Sequence, residues 1–242
     1  MKISAIIQAR TSSTRLPNKI FLPLGDEPLI WHVVDRLKYS KYINHIVIAT
    51  TNNPNDDIIE KWAAKNQTDC FRANENNVLS RFYNCANHSK SDIIVRITSD
   101  DPFKDPSLID EAIELLLSKK LDFVYNNFPP TFPEGLDVEV FTFKTLKESF
   151  FNCTSTYDKE HLTQFMYKNN FKKSNISNAI NLSNLRWTID TVDDYNMAKK
   201  VYKKVYKKNN IFLMDDVLLL LEKHPYLKKI NNNNVIRSQF YK

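Results

Sequence analysis

Apolar and polar positions along the first 125 residues alternate between two rhythms. Lys2 to Gln8 is a short, continuous apolar run, the pattern of a buried strand. Pro28 to Lys38 shifts to helical spacing with proline near the first turn, and His45 to Thr51 returns to a β-branched strand. Asn55 or Asp56 is placed to cap a helix running through Lys65. A short strand near Asp69 to Arg72 follows, then a helix from Asn77 to about His88. Asp92 to Thr98 is another β-branched strand, and Pro106 to Ser118 another helix. Strands separated by helices of this length predict βαβ units, hence an α/β fold with a mostly parallel, twisted sheet flanked by helices in three layers. Ligands on such sheets gather beyond the carboxyl ends of the strands. That rule puts Gln8 to Lys19, Thr50-Thr51 and Thr98 to Asp101 on one rim.

The second half is less regular. Pro129, Pro130 and Pro133 break the chain after Tyr125, so residues 126–184 are expected to form a small α+β excursion within a single domain spanning 1–242. A strand at Leu185 to Asp190 is expected to return to the sheet, with a helix from about Asp193 after it. No internal repeat is visible.

Composition then removes whole classes of function. Hydrophobic residues are 42% and charged residues 26% of the 242, enough to fill a core and incompatible with wholesale disorder. No run approaches the roughly 18 apolar residues of a membrane span, and the apolar start is too short for a secretory signal, with Arg10 closing it. Cys70, Cys85 and Cys153 show no metal-ligand spacing and point to a reduced, cytoplasmic setting. The chain has two glycines, Gly25 and Gly135, so neither GxGxxG nor GxxxxGK can occur. The net charge of +6 is concentrated in Lys199, Lys200, Lys203, Lys204, Lys207 and Lys208, spaced between Val201, Tyr202, Val205 and Tyr206. That spacing reads as the wet face of an amphipathic helix rather than a nucleic-acid or membrane surface. Asn231 to Asn234 reads as turn material.

Three segments on the expected rim carry candidate chemistry. The loop Ala9-Arg10-Thr11-Ser12-Ser13-Thr14-Arg15-Leu16-Pro17-Asn18-Lys19 follows a buried strand with three cations and four hydroxyls. It can surround a polyphosphate without glycine, or it is a polar surface loop. Asp100 and Asp101 end a strand, where carboxylates suit a hard cation such as Mg²⁺ or start the turn toward the next helix. Asp190 ends the last expected strand and can share the same metal, whereas Asp193 and Asp194 suit the following helix N-terminus.

These segments resemble a known family. Ile6-Ile7-Gln8-Ala9-Arg10, Ser13, Arg15-Leu16-Pro17 and Lys19, followed by Pro28-Leu29-Ile30, are similar to the opening of the CMP-sugar-acid synthetases. The likeness is closest to the spore coat polysaccharide biosynthesis protein F branch. It continues through Phe71-Arg72, Asn77 to Phe82, Arg96 to Pro102, Pro133 to Phe141, Tyr157 to Thr163 and Trp187 to Thr191, in order along nearly the whole chain.

The resemblance implies a nucleotide-diphospho-sugar transferase-like fold and a cytidylyltransferase. Such an enzyme transfers CMP from CTP to an acidic sugar or related acceptor with Mg²⁺, releases pyrophosphate, and serves surface polysaccharide or glycoconjugate synthesis. On the matching positions, Arg10, Arg15 and Lys19 hold the triphosphate and act in catalysis, and Asp100 and Asp190 hold the metal. Ala9, Arg10, Ser13, Lys19, Asn77, Arg81 and Thr98 fall on the nucleotide, and Arg96, Glu134, Asp137, Glu139, Glu160 and His161 on the acceptor. Thr98 stands where the octulosonate enzymes carry Gln, and Ser99 where they carry Gly. The acid-rich acceptor set is odd for a carboxylated sugar, since like charges repel, so some of its carboxylates are expected to pair with Arg96 or to bind an amine on the acceptor. An acidic sugar is the first expectation and an amino-bearing or phosphorylated acceptor the alternative. A homodimer built partly from residues 126–184 is also implied. The rival reading is a nucleotide-sugar glycosyltransferase, against which the three cations of the first loop count.

Overall fold

The protein, seen in a computed structural model that describes residues 1–234, is built on a seven-stranded sheet. In chain order come β1 (Ile3–Gln8), a short β2–β3 ribbon (Pro23–Leu24 and Glu27–Pro28), α1 (Leu29–Leu37), β4 (His45–Thr51), α2 (Asp57–Lys65) and β5 (Asp69–Ala73). Then follow α3 (Val78–His88), β6 (Ile93–Thr98), α4 (Pro106–Ser118), β7 (Phe123–Tyr125), β8 (Glu139–Thr142) and α5 (Phe143–Asn152). Two short helices, α6 (Thr156–Glu160) and α7 (Gln164–Lys168), lead to β9 (Lys173–Asn175), α8 (Val192–Val205) and α9 (Met214–Lys223).

The sheet order is β5-β4-β1-β6-β8-β7-β9. Every pairing is parallel except those of β8, which runs against both β6 and β7. Alternate residues of β1 enter opposite cores, as a strand buried on both faces requires. Ile3, Ala5 and Ile7 pack with α1, α4, α8 and α9, while Ile6 packs with Leu79 and Phe82 of α3 and Leu146 of α5. The three-layer arrangement expected from the strand–helix alternation is therefore present. Chain order reverses at β1: β4 and β5 extend to one side, β6 to the other. Gln8 lies level with Ala49 on β4 and Thr98 on β6, so the loops after β1 and β6 open on the crevice where such folds bind ligands.

Residues 126–184 carry α5 to α7 and also supply β8 and β9 to the sheet. One sequence expectation changes: Leu185 to Asp190 forms no strand. Its Trp187 and Thr188 N–H groups donate to the Glu134 carbonyl at 2.7 and 3.1 Å, and the Ile189 N–H donates to the Asp100 carbonyl at 2.9 Å. Gly135 makes this approach possible: its φ is +108°, and a Cβ there would lie 2.6 Å from the Thr188 nitrogen. The lysine-rich helix behaves as its spacing implies. Val201 and Tyr202 are buried and Lys199, Lys200, Lys203 and Lys204 exposed, while Lys207 and Lys208 lie past the end of α8.

Candidate active site

The loop after β1 is shaped from within and from α2. Thr11 takes hydrogen bonds to its carbonyl from the Ser13 and Asn18 N–H groups at 2.8 and 3.2 Å. Asn18 adopts the left-handed region at φ 55°, which reverses the chain and drives Lys19 inward to 8% exposure. Asp56, expected as a helix cap, makes no cap bond and instead accepts from Thr11 and Thr51.

Lys19 is the centre of the site. Its ammonium donates to Asp100 Oδ2 at 2.7 Å, Asp190 Oδ1 at 2.8 Å and the Ile189 carbonyl at 2.9 Å. Burial opposes its charge, but the two carboxylates outweigh that and raise its pKa above the usual lysine value. Burial likewise pushes Asp190 upward, and Lys19, Arg15 and Arg186 overcome it, so this carboxyl titrates below its ordinary range. The Arg15 guanidinium reaches Asp190 at 3.1 Å from the solvent side. Arg10 is also solvent-facing, 3.8 Å from Glu75. Three cations of one loop thus border the crevice, one locked and two exposed.

The two aspartates fit a divalent cation by chemistry. Both carboxylates converge on one positive group, and Mg²⁺ takes one or two carboxylates plus phosphate oxygens and water. Among the described residues no cluster of three or more His, Cys, Asp or Glu could hold a metal without such help.

On the α3 side, several expected nucleotide residues have local structural partners. Ala9 is buried, and its N–H donates to the Ala49 carbonyl at 3.3 Å. The Ser13 hydroxyl accepts from the Leu16 N–H at 3.4 Å. The Asn77 side chain caps α3 by accepting from the Ser80 N–H at 2.8 Å. Arg81 is buried beneath the turn before α3, donating to the Asn74 and Glu75 carbonyls at 3.0 and 3.3 Å. Burial lowers its pKa, and Arg10 nearby adds to that. Thr98 donates to Asp101 at 2.6 Å, and Asp101 pairs with the buried Lys104 at 2.9 Å.

Beyond Asp100 and Asp190 opens a cleft of about 680 Å³. Arg96, Glu134, Asp137, Glu139 and His161 all line it, as expected for the acceptor set, whereas Glu160 is exposed and outside it. Two of the carboxylates, Glu139 and Glu134, are paired with arginines. Glu139 is enclosed, ion-paired with Arg96, and accepts from Thr163 at 2.7 Å and Tyr167 at 2.9 Å. Burial pushes its carboxyl up, but those three partners hold it below the usual carboxylate range. Glu134 pairs with Arg186 at 3.0 Å. Thr98, Lys104, Tyr157, Thr163 and Tyr167 are also among the lining residues. Sequence reasoning missed Thr163 and Tyr167 as a pair, although their i, i+4 spacing places both on one helical face.

The chain is similar to known proteins in sequence and in fold. The family model described as cytidylyltransferase matches residues 4–239. The spore coat polysaccharide biosynthesis protein SpsF of Bacillus subtilis is 30% identical over 91% of this chain and 94% of its own. A cytidylyltransferase structure from Leptospira borgpetersenii superposes with a TM-score of 0.90 at 34% identity, covering 98% of this chain and 99% of the other. A CMP:2-keto-3-deoxy-manno-octonic acid synthetase complexed with CTP shares the fold at a TM-score of 0.66 and 14% identity, over 85% of this chain and all of the other.

Proposed function

The chain belongs to the cytidylyltransferase family, and we propose that this CTP-dependent nucleotidyltransferase uses Mg²⁺ to transfer CMP to an acidic sugar for surface polysaccharide or glycoconjugate synthesis. The observation that carries the reading is the clamp of Lys19 between Asp100 and Asp190 in the crevice between β1 and β6. Family membership disfavours the rival glycosyltransferase.

An acceptor hydroxyl attacks the α-phosphorus, forming a new P–O bond as the bond to pyrophosphate breaks; pyrophosphate and a proton leave. Both partners are anionic, so the protein's work is positioning and charge neutralisation. Arg10 and Arg15, exposed on the first loop, meet the β- and γ-phosphates. Lys19 stabilises charge at the α-phosphate and leaving oxygen. Asp100 and Asp190 would hold the Mg²⁺, which when bound supplies Lewis-acid chemistry. Thr98, which donates to Asp101 where the cleft meets Asp100, is read as the nucleotide contact, while Arg96 holds the acceptor's acid group with Glu139 behind it. The Arg96–Glu139 and Arg186–Glu134 pairs support this reading by offsetting two of the cleft's carboxylates. The reading also makes the working form a cytoplasmic homodimer, for which the exposed Phe151 and Tyr157 of residues 126–184 supply apolar contact surface. No helix among the described residues is long and apolar enough to cross a membrane.

The test is a thermal-shift screen of the four NTPs with and without Mg²⁺, followed by pyrophosphate release with 3-deoxy-manno-octulosonate and related sugar acids. A ligand at about 100 times its dissociation constant stabilises a fold by about 2.7 kcal/mol. Selective stabilisation by CTP with Mg²⁺ and acceptor-dependent pyrophosphate release are expected. Equal response to UTP, or release only with sugars lacking an acid group, would overturn the base or acceptor assignment respectively.

A further inference from the structure

Asp190 is held from behind by a chain of contacts that begins near the far end of the described chain. Arg186 Nη2 donates to Asp190 Oδ2 at 2.8 Å, leaving Oδ1 to face Lys19 and Arg15. The Asp190 main chain is fixed too, its N–H donating to Asp194 Oδ2 at 3.1 Å. Asp194 is fully buried and also receives Arg186 Nε at 3.1 Å, so one carboxylate fixes both the backbone and the guanidinium that orient Asp190. That carboxylate is in turn held by Asn231 Nδ2 and Asn234 Nδ2, each at 2.9 Å. Asn231 also donates to the Arg186 carbonyl at 2.9 Å, and Asn234 to the Thr191 hydroxyl at 2.8 Å.

These asparagines, turn material by composition, therefore stand two contacts away from the site. We propose that Arg186, Asp194, Asn231 and Asn234 are positioning residues that set the direction of Asp190 Oδ1, and with it the joint aim of Asp190 and Asp100 at a divalent cation on the nucleotide. A helix cap alone would need only Thr191 and Asp194, which already form a capping box. Contacts reaching from position 231 to Arg186 add nothing to that cap. They fix the Arg186 main chain, while Asp194 Oδ1, held by Asn231 and Asn234, fixes the guanidinium and through it the carboxylate. Groups that orient a metal-binding carboxylate typically change metal affinity or activity by about 10- to 100-fold when removed.

The inference rests on the cytidylyltransferase reading, and the experiment separates the two. Wild type, Asn231→Ala, Asn234→Ala and the double variant are compared by thermal shift with CTP alone, with CTP plus rising Mg²⁺, and by steady-state kinetics. The double variant should keep its stabilisation by CTP alone, need about tenfold or more Mg²⁺ for the metal-dependent increment, and lose kcat with little change in KM for CTP. The single variants should show intermediate shifts, which keeps the test readable if the double variant folds poorly. An unchanged Mg²⁺ requirement in folded variants overturns the inference alone. Equal loss of stabilisation with and without Mg²⁺ also overturns it, because that is a general structural effect. A wild-type protein indifferent to CTP and Mg²⁺ overturns the parent reading and this inference together.

Discussion

Asp56 Oδ1 accepts two hydrogen bonds from Thr11, one from its N–H at 2.8 Å and one from its hydroxyl at 2.7 Å, although 45 residues separate them. The other carboxylate oxygen accepts from Thr51 at the end of β4. A buried carboxylate thus ties the first loop to two neighbouring elements and fixes the spacing of the cations that follow. The loop contains no glycine, and its shape comes from this anchor together with the left-handed Asn18.

Asp56→Ala leaves the Thr11 N–H and two hydroxyls without their acceptor, at a cost of about 1–3 kcal/mol per buried group. The loop should loosen before the fold fails. KM for CTP is expected to rise about tenfold, equivalent to about 1.4 kcal/mol, with KM for the acceptor unchanged. Equal changes in both constants would show that Asp56 supports the whole domain rather than the triphosphate loop.

Lys19→Ala and Asp190→Ala should each reduce kcat by about 100-fold or more, the scale of removing one preorganised charge from a transition state. Stability should fall far less, because Asp190 keeps Arg15 and Arg186 when Lys19 is gone. The melting temperature is expected to drop by a few degrees, since about 1 kcal/mol corresponds to about 2–4 °C in a chain of this size. Large and parallel losses of melting temperature in both variants would make these residues structural.

How much of this could be read from the chain alone follows from the range of each interaction. β4 and α4 were expected with the bounds they have, His45–Thr51 and Pro106–Ser118, because their signals are local: a β-branched run, and a proline at the first helical turn. The carbonyl-end location of Lys19 and Asp100 followed from the strand–helix alternation. Leu185, Trp187 and Ile189 alternate like a strand and are buried or half-buried like one, yet among the described residues the segment makes only an isolated bridge, Arg186 to Glu134. Their hydrogen bonds go to the Glu134 and Asp100 loops instead. Asp56, Asn231 and Asn234 act across 37 to 45 residues, and nothing in their flanking sequence marks such partners.

Gly135→Ala tests that loop packing. At φ +108° an L side chain is strained by about 1–3 kcal/mol. In addition, the new Cβ would meet the Thr188 nitrogen at 2.6 Å and the Trp187 carbonyl carbon at 2.9 Å, both backbone atoms with little room to move. A clear drop in the urea midpoint is expected. Turnover should also fall at temperatures where the variant remains folded, because residues 187–189 carry Asp190. Wild-type stability in this variant would mean that the Glu134–Thr188 approach is not tight in solution.

The sharpest pH dependence of stability should come from His32, away from the site. It is buried in α1, its ring against Tyr202 and Tyr206 at 4.7 and 5.0 Å and its Nε2 2.5 Å from the Leu24 carbonyl. Burial pushes its pKa down to about 4, against the carbonyl's opposing pull. The unfolded chain titrates near 6.5, so between these values it binds a proton that the folded chain refuses. Unfolding free energy therefore rises with pH across that window and loses about 3 kcal/mol as pH falls from about 6.5 to about 4. Depressed carboxyls such as Asp190, Asp194 and Glu139 lose their contribution lower down, as pH drops through their folded values. Urea melts at half-unit steps should show the two regimes, and His32→Gln should flatten the upper one while leaving the lower. A variant with the wild-type slope between pH 4 and 6.5 would assign that slope to another group.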